Sequence, residues 1–268
     1  MQFSNLFDVL FLGDVVGRPG RLHVKAYLQA LAASGDKPDL IIVNAENAAH
    51  GFGLTRKIVN EFVECGVHVL SGGNHTFDKK EVFEFIDDSP FILRPANYPP
   101  GTPGRGTFVF EDGDFRFGII NLMGRVFMEP LRSPFLIADE LIASLNAEGV
   151  KAIMVDFHAE ATAEKVALGL YLDGRATAVL GTHTHVQTAD ERILPGGLAY
   201  ITDAGLCGPS NGVIGMDKEQ VFRRLVQQLP CRLEIASGPT VLSGVRFKVD
   251  KDSGKAVSIE RILQYSES

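Results

Sequence analysis

Short apolar runs alternate with amphipathic stretches over the first two thirds of the chain, and that order predicts β-α units feeding a parallel sheet. Phe7 to Gly13 is a largely apolar run that stops at a glycine, as a buried strand does; after Gly20, Leu22, Ala26, Ala30 and Leu31 recur at helical spacing until Gly35. Asp39 to Asn44 repeats the strand pattern, Lys57 to Glu64 the helical one, and Val67 to Leu70 is a third strand running into Ser71-Gly72-Gly73. A Pro- and Gly-rich loop fills Pro90 to Gly106. Beyond it, Thr107 to Glu111 and Phe115 to Leu122 flank Asp112-Gly113-Asp114 as a hairpin. Leu136 to Leu145 reads as a helix, Ala152 to Phe157 as a strand, Ala163 to Leu172 as a helix and Ala178 to Leu180 as a strand.

The last third changes character. Leu198 to Thr202, Arg232 to Ala236, Val241 to Val249 and Ser258 to Gln264 read as strands with one helix, Lys218 to Gln228, among them, which predicts a second, largely antiparallel sheet. No repeat, low-complexity tract or charged linker divides residues 1–268, so a single α/β domain is expected, its two sheets packed face to face with helices outside.

Composition narrows the function. Hydrophobic residues make up 45% and charged residues 22% of the 268, as in an ordinary globular domain. A net charge of −7 argues against a broad duplex nucleic-acid footprint, and an acidic chain without Trp lacks the stacking platforms of a single-strand RNA binder. No run approaches the ~18 apolar residues of a membrane span, and Met1 to Asn5 has no positively charged leader. Cys65, Cys207 and Cys231 are too scattered for a disulfide framework or zinc finger, so reduced thiols and a cytoplasmic location are expected.

The candidate chemistry sits at strand ends, where open α/β sheets form their crevices. Asp14, Glu46-Asn47, Asn74-His75 and His158 each follow an apolar run, and Gly181-Thr182-His183-Thr184-His185 follows Ala178-Val179-Leu180. Alternation in an extended segment puts His183 and His185 on one side, spaced for two different ions, and a carboxylate such as Glu46 can bridge ions ~3.5–4 Å apart. Two divalent cations against Asp14 and Glu46 leave a positive site that draws in a phosphoester. A metal-bound water, deprotonated near neutral pH, is the expected nucleophile. His75, beside the expected ligand Asn74, is placed to protonate the leaving oxygen; the plainer role is a hydrogen bond that orients a ligand. The all-nitrogen-and-oxygen donor set suits two divalent or mixed-valence ions, iron or manganese ahead of zinc.

Other residues carry less. Arg18 and Arg21 could meet phosphate or simply be solvated at a helix entry. Thr202 to Gly212 is a polar, Gly-rich loop that could form a substrate rim, with Gly205 and Asn211 the candidates beside Arg18. His23, His50 and His68 gain no role from position, and Cys207 is expected to be buried and inert.

Gly73-Asn74-His75-Thr76 and Gly181-Thr182-His183-Thr184-His185 resemble the G-N-H-[D/E] and G-H-x-H blocks of the calcineurin-like metallophosphoesterases. More narrowly, Gly13 to Arg21, Asn44-Ala45-Glu46-Asn47 and Asp156 to Thr162 resemble the bacterial YmdB family. The broad family's D-x-H is Asp14-Val15-Val16 here and its G-D is Glu46-Asn47, so one ligand has moved. The resemblance implies that Asn47 replaces the missing histidine. It puts Asp14, Glu46, Asn47 and His185 around one ion and Glu46, Asn74, His158 and His183 around the other. It further implies a four-layer αββα sandwich, a phosphodiesterase acting on small nucleotide phosphodiesters that include 2′,3′-cyclic nucleotides, and His75 as proton donor. The alternatives are a phosphomonoesterase and a metal-binding regulatory or scaffold protein with little turnover. A homo-oligomer is compatible with either.

Overall fold

The computed structural model describes residues 5–266, and within it the period-2 pattern of each strand decides which layer its side chains enter. The first half contains β1 (Leu6–Leu12), the short β2 (Asp14–Val15), α1 (Gly17–Ser34), β3 (Leu40–Asn44), α2 (Arg56–Glu64) and β4 (Val69–Ser71). There follow β5 (Thr107–Asp112), β6 (Phe115–Met123), α3 (Pro134–Ala147), β7 (Ala152–His158), α4 (Thr162–Leu172) and β8 (Ala178–Thr182). The rest is β9 (Arg192–Ile193), β10 (Ala199–Ile201), β11 (Leu206–Pro209), α5 (Lys218–Leu225), β12 (Thr240–Asp250) and β13 (Ala256–Tyr265).

One sheet runs β2-β11-β12-β1-β3-β4 with β13 also paired to β12, and the other runs β5-β6-β7-β8-β10-β9. Along β1, Phe7, Val9 and Phe11 point between the sheets, where they meet Phe117, Met154, Leu180 and Ile201. Their alternates Leu10 and Leu12 face α1 and α2 through Val24, Leu28, Ile58 and Phe62. In β7, Ala152 and Met154 join the inter-sheet core, while Ile153, Val155 and Phe157 pack under α3 and α4. Three apolar layers therefore separate four structural ones, and the architecture is the expected αββα sandwich.

The last third does not form a sheet of its own. β10 pairs parallel with β8, extending the second sheet, whereas β11, β12 and β13 join the first. Both sheets are mixed as a result. Arg232 to Ala236 is not a strand; only an isolated bridge links Ile235 to Met216, and Gly238-Pro239 ends the stretch. The first helix starts at Gly17, earlier than expected, and buries Gly17, Gly20, Val24 and Leu28, leaving Leu22 52% exposed. Its phase is set by β11: a Cβ on Gly20 would lie 2.0 Å from the Cys207 carbonyl oxygen, so the glycine face lets the helix settle on that strand. Within the Thr202 to Gly212 stretch residues 202–209 are buried and Leu206–Pro209 is a strand, while Asn211 is exposed. Cys207 lies within it as a free thiol that burial pushes up to about 12, and Cys65 and Cys231 are free as well. No helix among the described residues is long and apolar enough to cross a membrane.

A buried ion pair ties α4 to the segment after β10, with Lys165 Nζ 2.7 Å from Asp203 Oδ2 and both side chains 1% exposed. Removing one partner leaves the other charged and unpaired in the core. Asp203→Ala is therefore expected to lower the unfolding free energy by about 3–5 kcal/mol, read from the denaturant midpoint at constant slope.

Candidate metal centre

Parallel pairing brings the chemistry to one edge. β1, β3 and β4 run parallel in one sheet and β6, β7 and β8 in the other, so their C-terminal ends share a rim. Asp14 opens β2; Glu46 and Asn47 follow β3; Gly72-Gly73-Asn74-His75 follow β4; His158 ends β7; and Thr182 ends β8 before His183. Asp14, Glu46, Asn47 and His158 are buried to within 3% exposure.

Around His158 Nε2 lie Asn74 Oδ1 at 3.0 Å, Glu46 Oε1 at 3.0 Å and His183 Nδ1 at 3.1 Å. Glu46, His158 and His183 offer donor atoms all within 4.8 Å of one another. Beside this group, His185 Nε2 is 3.4 Å from the Asn47 amide and 3.9 Å from Asp14 Oδ1, and the Asn47 amide is 3.1 Å from Glu46 Oε1. All seven expected ligands are thus drawn into one cluster, with Glu46 in contact with both halves.

The donor set fits metal ions on three counts. Asp14 Oδ1 is buried and accepts no hydrogen bond from any described residue, although its other oxygen accepts from His183 N at 3.1 Å. A lone carboxylate oxygen in the interior needs a partner. Gly73 supplies the space, since a Cβ there would sit 2.3 Å from Glu46 Oε2 and 2.4 Å from His158 Nε2. Finally, each imidazole has its outer nitrogen engaged: His158 Nδ1 with Thr182 Oγ1 at 3.0 Å, His183 Nε2 with Glu160 at 3.2 Å and His185 Nδ1 with the Ile214 carbonyl at 3.0 Å. The inner nitrogens of all three face the cluster, as ligating histidines require.

Electrostatics agree. Burial alone would lower the His158 pKa, but Glu46 and Asp14 raise it to about 9. Burial raises Glu46, and His158 outweighs that, holding the carboxylate at about 2. Burial and the neighbouring His158 push His183 down to about 3, while Asp14 is raised by burial. The two carboxylates thus favour a positive charge beside them.

His75 lies at the rim. Its backbone N–H donates to Glu46 Oε2 at 2.9 Å, its Nδ1 meets Asp78 Oδ2 at 2.8 Å, and its ring contacts the edge of Phe52 at 4.8 Å. Nδ1 is tethered and the side chain is 29% exposed, so Nε2 is the nitrogen left for chemistry.

Sequence reasoning missed the residues behind these. Asp78, three positions after His75, is one. Asp156 is another: its Oδ1 accepts from Thr182 Oγ1 at 2.8 Å, which leaves that hydroxyl to accept from His158 Nδ1. Ser71 and Asn44 bond to its other oxygen. The spacing in Asp156-Phe157-His158, with both odd members on one strand face, was an available signal.

The weaker candidates fall elsewhere. Arg21 is held by Glu61 at 2.9 Å and by the Ala48 carbonyl. Arg18 is exposed in a groove of about 310 Å³ between α1 and α2, which none of the clustered residues lines. Gly205 is buried and its carbonyl accepts from Asp14 N at 3.0 Å; Asn211 is exposed. His68 is half-buried, its Nδ1 accepting from Ile41 N. His23 pairs with Thr240 Oγ1.

The chain also matches known proteins. A family model described as YmdB-like protein covers residues 10–262. The 2′,3′-cyclic-nucleotide 2′-phosphodiesterase of Bacillus subtilis (strain 168) is 56% identical over 256 residues, 95% of this chain and 96% of that one. A solved structure of a hypothetical protein from Thermus thermophilus superposes with a TM-score of 0.91 at 40% identity, covering 97% of this chain and 100% of that one. That of a novel phosphatase from Mycoplasma pneumoniae gives 0.91 at 37% identity, over 97% and 94%.

Proposed function

The chain belongs to the YmdB-like family, and from that membership we propose that it is a dinuclear metal-dependent phosphodiesterase acting on small nucleotide phosphodiesters, 2′,3′-cyclic nucleotides among them. One observation carries the reading: Glu46, Asn74 and His183 each lie within hydrogen-bond distance of His158 Nε2, beside an Asp14 oxygen that accepts no hydrogen bond. The substrate class rests on the 56% identity to a phosphodiesterase of that specificity.

In this reading Asp14, Glu46, Asn47 and His185 would hold one ion and Glu46, Asn74, His158 and His183 the other, with Glu46 shared between them. When bound, the ions supply positive charge toward the phosphoryl oxygens and lower the pKa of an attacking water. The chain's own residues do the rest. Thr182, Glu160 and the Ile214 carbonyl keep the outer imidazole nitrogens occupied, so each ring stays turned inward. Water, giving one proton up to solvent, adds to phosphorus, a P–O bond to the ribose breaks, the departing oxygen takes a proton from His75 Nε2, and solvent returns a proton to the ring. Asp78, on Nδ1, steadies the imidazolium that gives it.

Metal uptake should carry a pH signature. Below about 9 the metal-free protein keeps a proton on His158 that an ion must displace, so affinity rises with pH and levels off above that value. Calorimetric Mn²⁺ titrations at pH 7 in buffers of different ionisation enthalpy should report release of at least one proton. Zero release would contradict the assignment of His158.

The activity itself is tested by incubating metal-replete protein with 2′,3′-cyclic AMP in the presence of Mn²⁺ or Fe²⁺. Hydrolysis abolished by a chelator is the expected result. No turnover of this substrate or of bis-p-nitrophenyl phosphate with either metal would overturn the proposal.

A further inference from the structure

The buried part of the Gly-rich stretch after β10 carries Asp203, bonded both to Thr184, between two expected ligands, and to Gly205, which holds the backbone of Asp14. We infer that Asp203, held by the buried Lys165, is a positioning residue that locks the Thr184 tip between the two histidine ligands and the strand carrying Asp14 into one frame. The inference rests on the metal-centre reading above.

The tip is under backbone strain. His183 has φ 98° and His185 φ 63°, conformations that side chains other than glycine adopt rarely, and Thr184 sits between them. Such a conformation persists only where its surroundings fix it. Asp203 Oδ2 supplies that fixation twice over, accepting from Thr184 N at 3.1 Å and from Thr184 Oγ1 at 2.7 Å, while Lys165 Nζ donates to the same oxygen at 2.7 Å.

The other carboxylate oxygen reaches toward Asp14. Oδ1 accepts from Gly205 N at 2.8 Å, Gly205 O accepts from Asp14 N at 3.0 Å, and Asp14 Oδ2 accepts in turn from His183 N at 3.1 Å. A closed circuit of hydrogen bonds therefore joins Asp203, Gly205, Asp14, His183 and Thr184. Within it the distance between Asp14 and the two imidazoles is fixed before any ion arrives. Lys165 keeps Asp203 aimed: both are 1% exposed, and the ammonium donates to the same oxygen that holds Thr184.

Thr184 gives access to this role without disturbing the buried ion pair. Thr184→Val keeps the side-chain shape and the backbone bond but deletes the hydroxyl's bond to Asp203; Thr184→Ser keeps that bond. Mn²⁺ affinity is measured calorimetrically on chelator-stripped full-length protein, with the melting temperature of each metal-free form as a check on the fold. The valine variant is expected to bind Mn²⁺ about 10- to 100-fold more weakly, as losses of ligand-orienting partners do. The serine variant should stay within a few-fold of the unsubstituted protein, and the metal-free melting temperatures of all three should agree. Equal Mn²⁺ affinity in the valine variant, or a serine variant as weak as the valine one, would overturn the positioning role. Unsubstituted protein that fails to take up Mn²⁺ would instead sink the metal-centre reading itself and this role with it.

Discussion

Glu46→Ala is expected to leave the protein folded but with fewer than two metal ions per chain and turnover reduced at least a thousandfold. Glu46 is the carboxylate that contacts both halves of the cluster, 3.0 Å from His158 Nε2 and 3.1 Å from the Asn47 amide. In the proposed dinuclear site its removal would take one negative charge and a shared donor from both ions at once, whereas removal of any other proposed ligand would weaken one. Paired ions are worth several kcal/mol of transition-state stabilisation, and about 1.4 kcal/mol corresponds to tenfold in rate. The fold should persist, because Glu46 lies in the loop after β3 and its partners are site residues, not the inter-sheet core. Elemental analysis and turnover of the same preparation check both halves of the expectation. Full metal content with lost turnover would reassign Glu46 from ligand to a role in the chemistry.

His75→Ala is expected to behave differently, keeping both ions and losing about 10²- to 10⁴-fold in turnover, the usual contribution of a positioned general acid. The imidazole is anchored to Asp78 and packs on Phe52, and only its backbone N–H touches Glu46, a bond that alanine retains. The loss should shrink with a substrate whose leaving group needs no proton, such as bis-p-nitrophenyl phosphate, compared with 2′,3′-cyclic AMP. Equal losses on the two substrates would make His75 an orienting residue. Unchanged turnover on both would remove it from the mechanism. Because the substitution separates turnover from metal content, it also distinguishes catalysis from a metal-bound regulatory role: a cellular effect that survived the substitution would not depend on hydrolysis.

What the sequence disclosed follows from where its information is local. A strand with apolar residues on both faces and a polar residue just past its end can be read one segment at a time, and parallel pairing then carries Asp14, Glu46, Asn74, His158 and His183 to a common rim. That is why distant positions were recognisable as one site. The layers were legible for the same reason, since Phe7, Val9 and Phe11 alternate with Leu10 and Leu12.

What remained hidden depends on contacts between segments that carry no mark of each other. The phase of α1 is decided by the close approach of Gly20 to the Cys207 carbonyl, so the spacing of apolar residues reveals the helix but not that Gly17, Gly20, Val24 and Leu28 form its buried face. The glycines of Thr202 to Gly212 let its backbone pack closely on its neighbours: a Cβ on Gly205 would lie 2.9 Å from Ser243 Cβ and one on Gly212 2.3 Å from the Met216 carbonyl oxygen. That composition imitates a surface loop. Asp203 lies in a polar, Gly-rich stretch and Lys165 in the middle of a helix, and nothing local links them; the pair is intelligible only when α4 lies on the sheet. Likewise, Arg232 to Ala236 has strand-like alternation but forms only the isolated bridge of Ile235 to Met216, and one bridge does not make a strand.

The most direct test of the dinuclear assignment is a crystal structure of the Mn²⁺-loaded protein with anomalous maps. The account predicts two peaks about 3.5–4 Å apart, with Glu46 touching both, Asn47 and His185 on the ion nearer Asp14, and Asn74, His158 and His183 on the other. A single peak, or two peaks with Asn47 turned away from both, would contradict it.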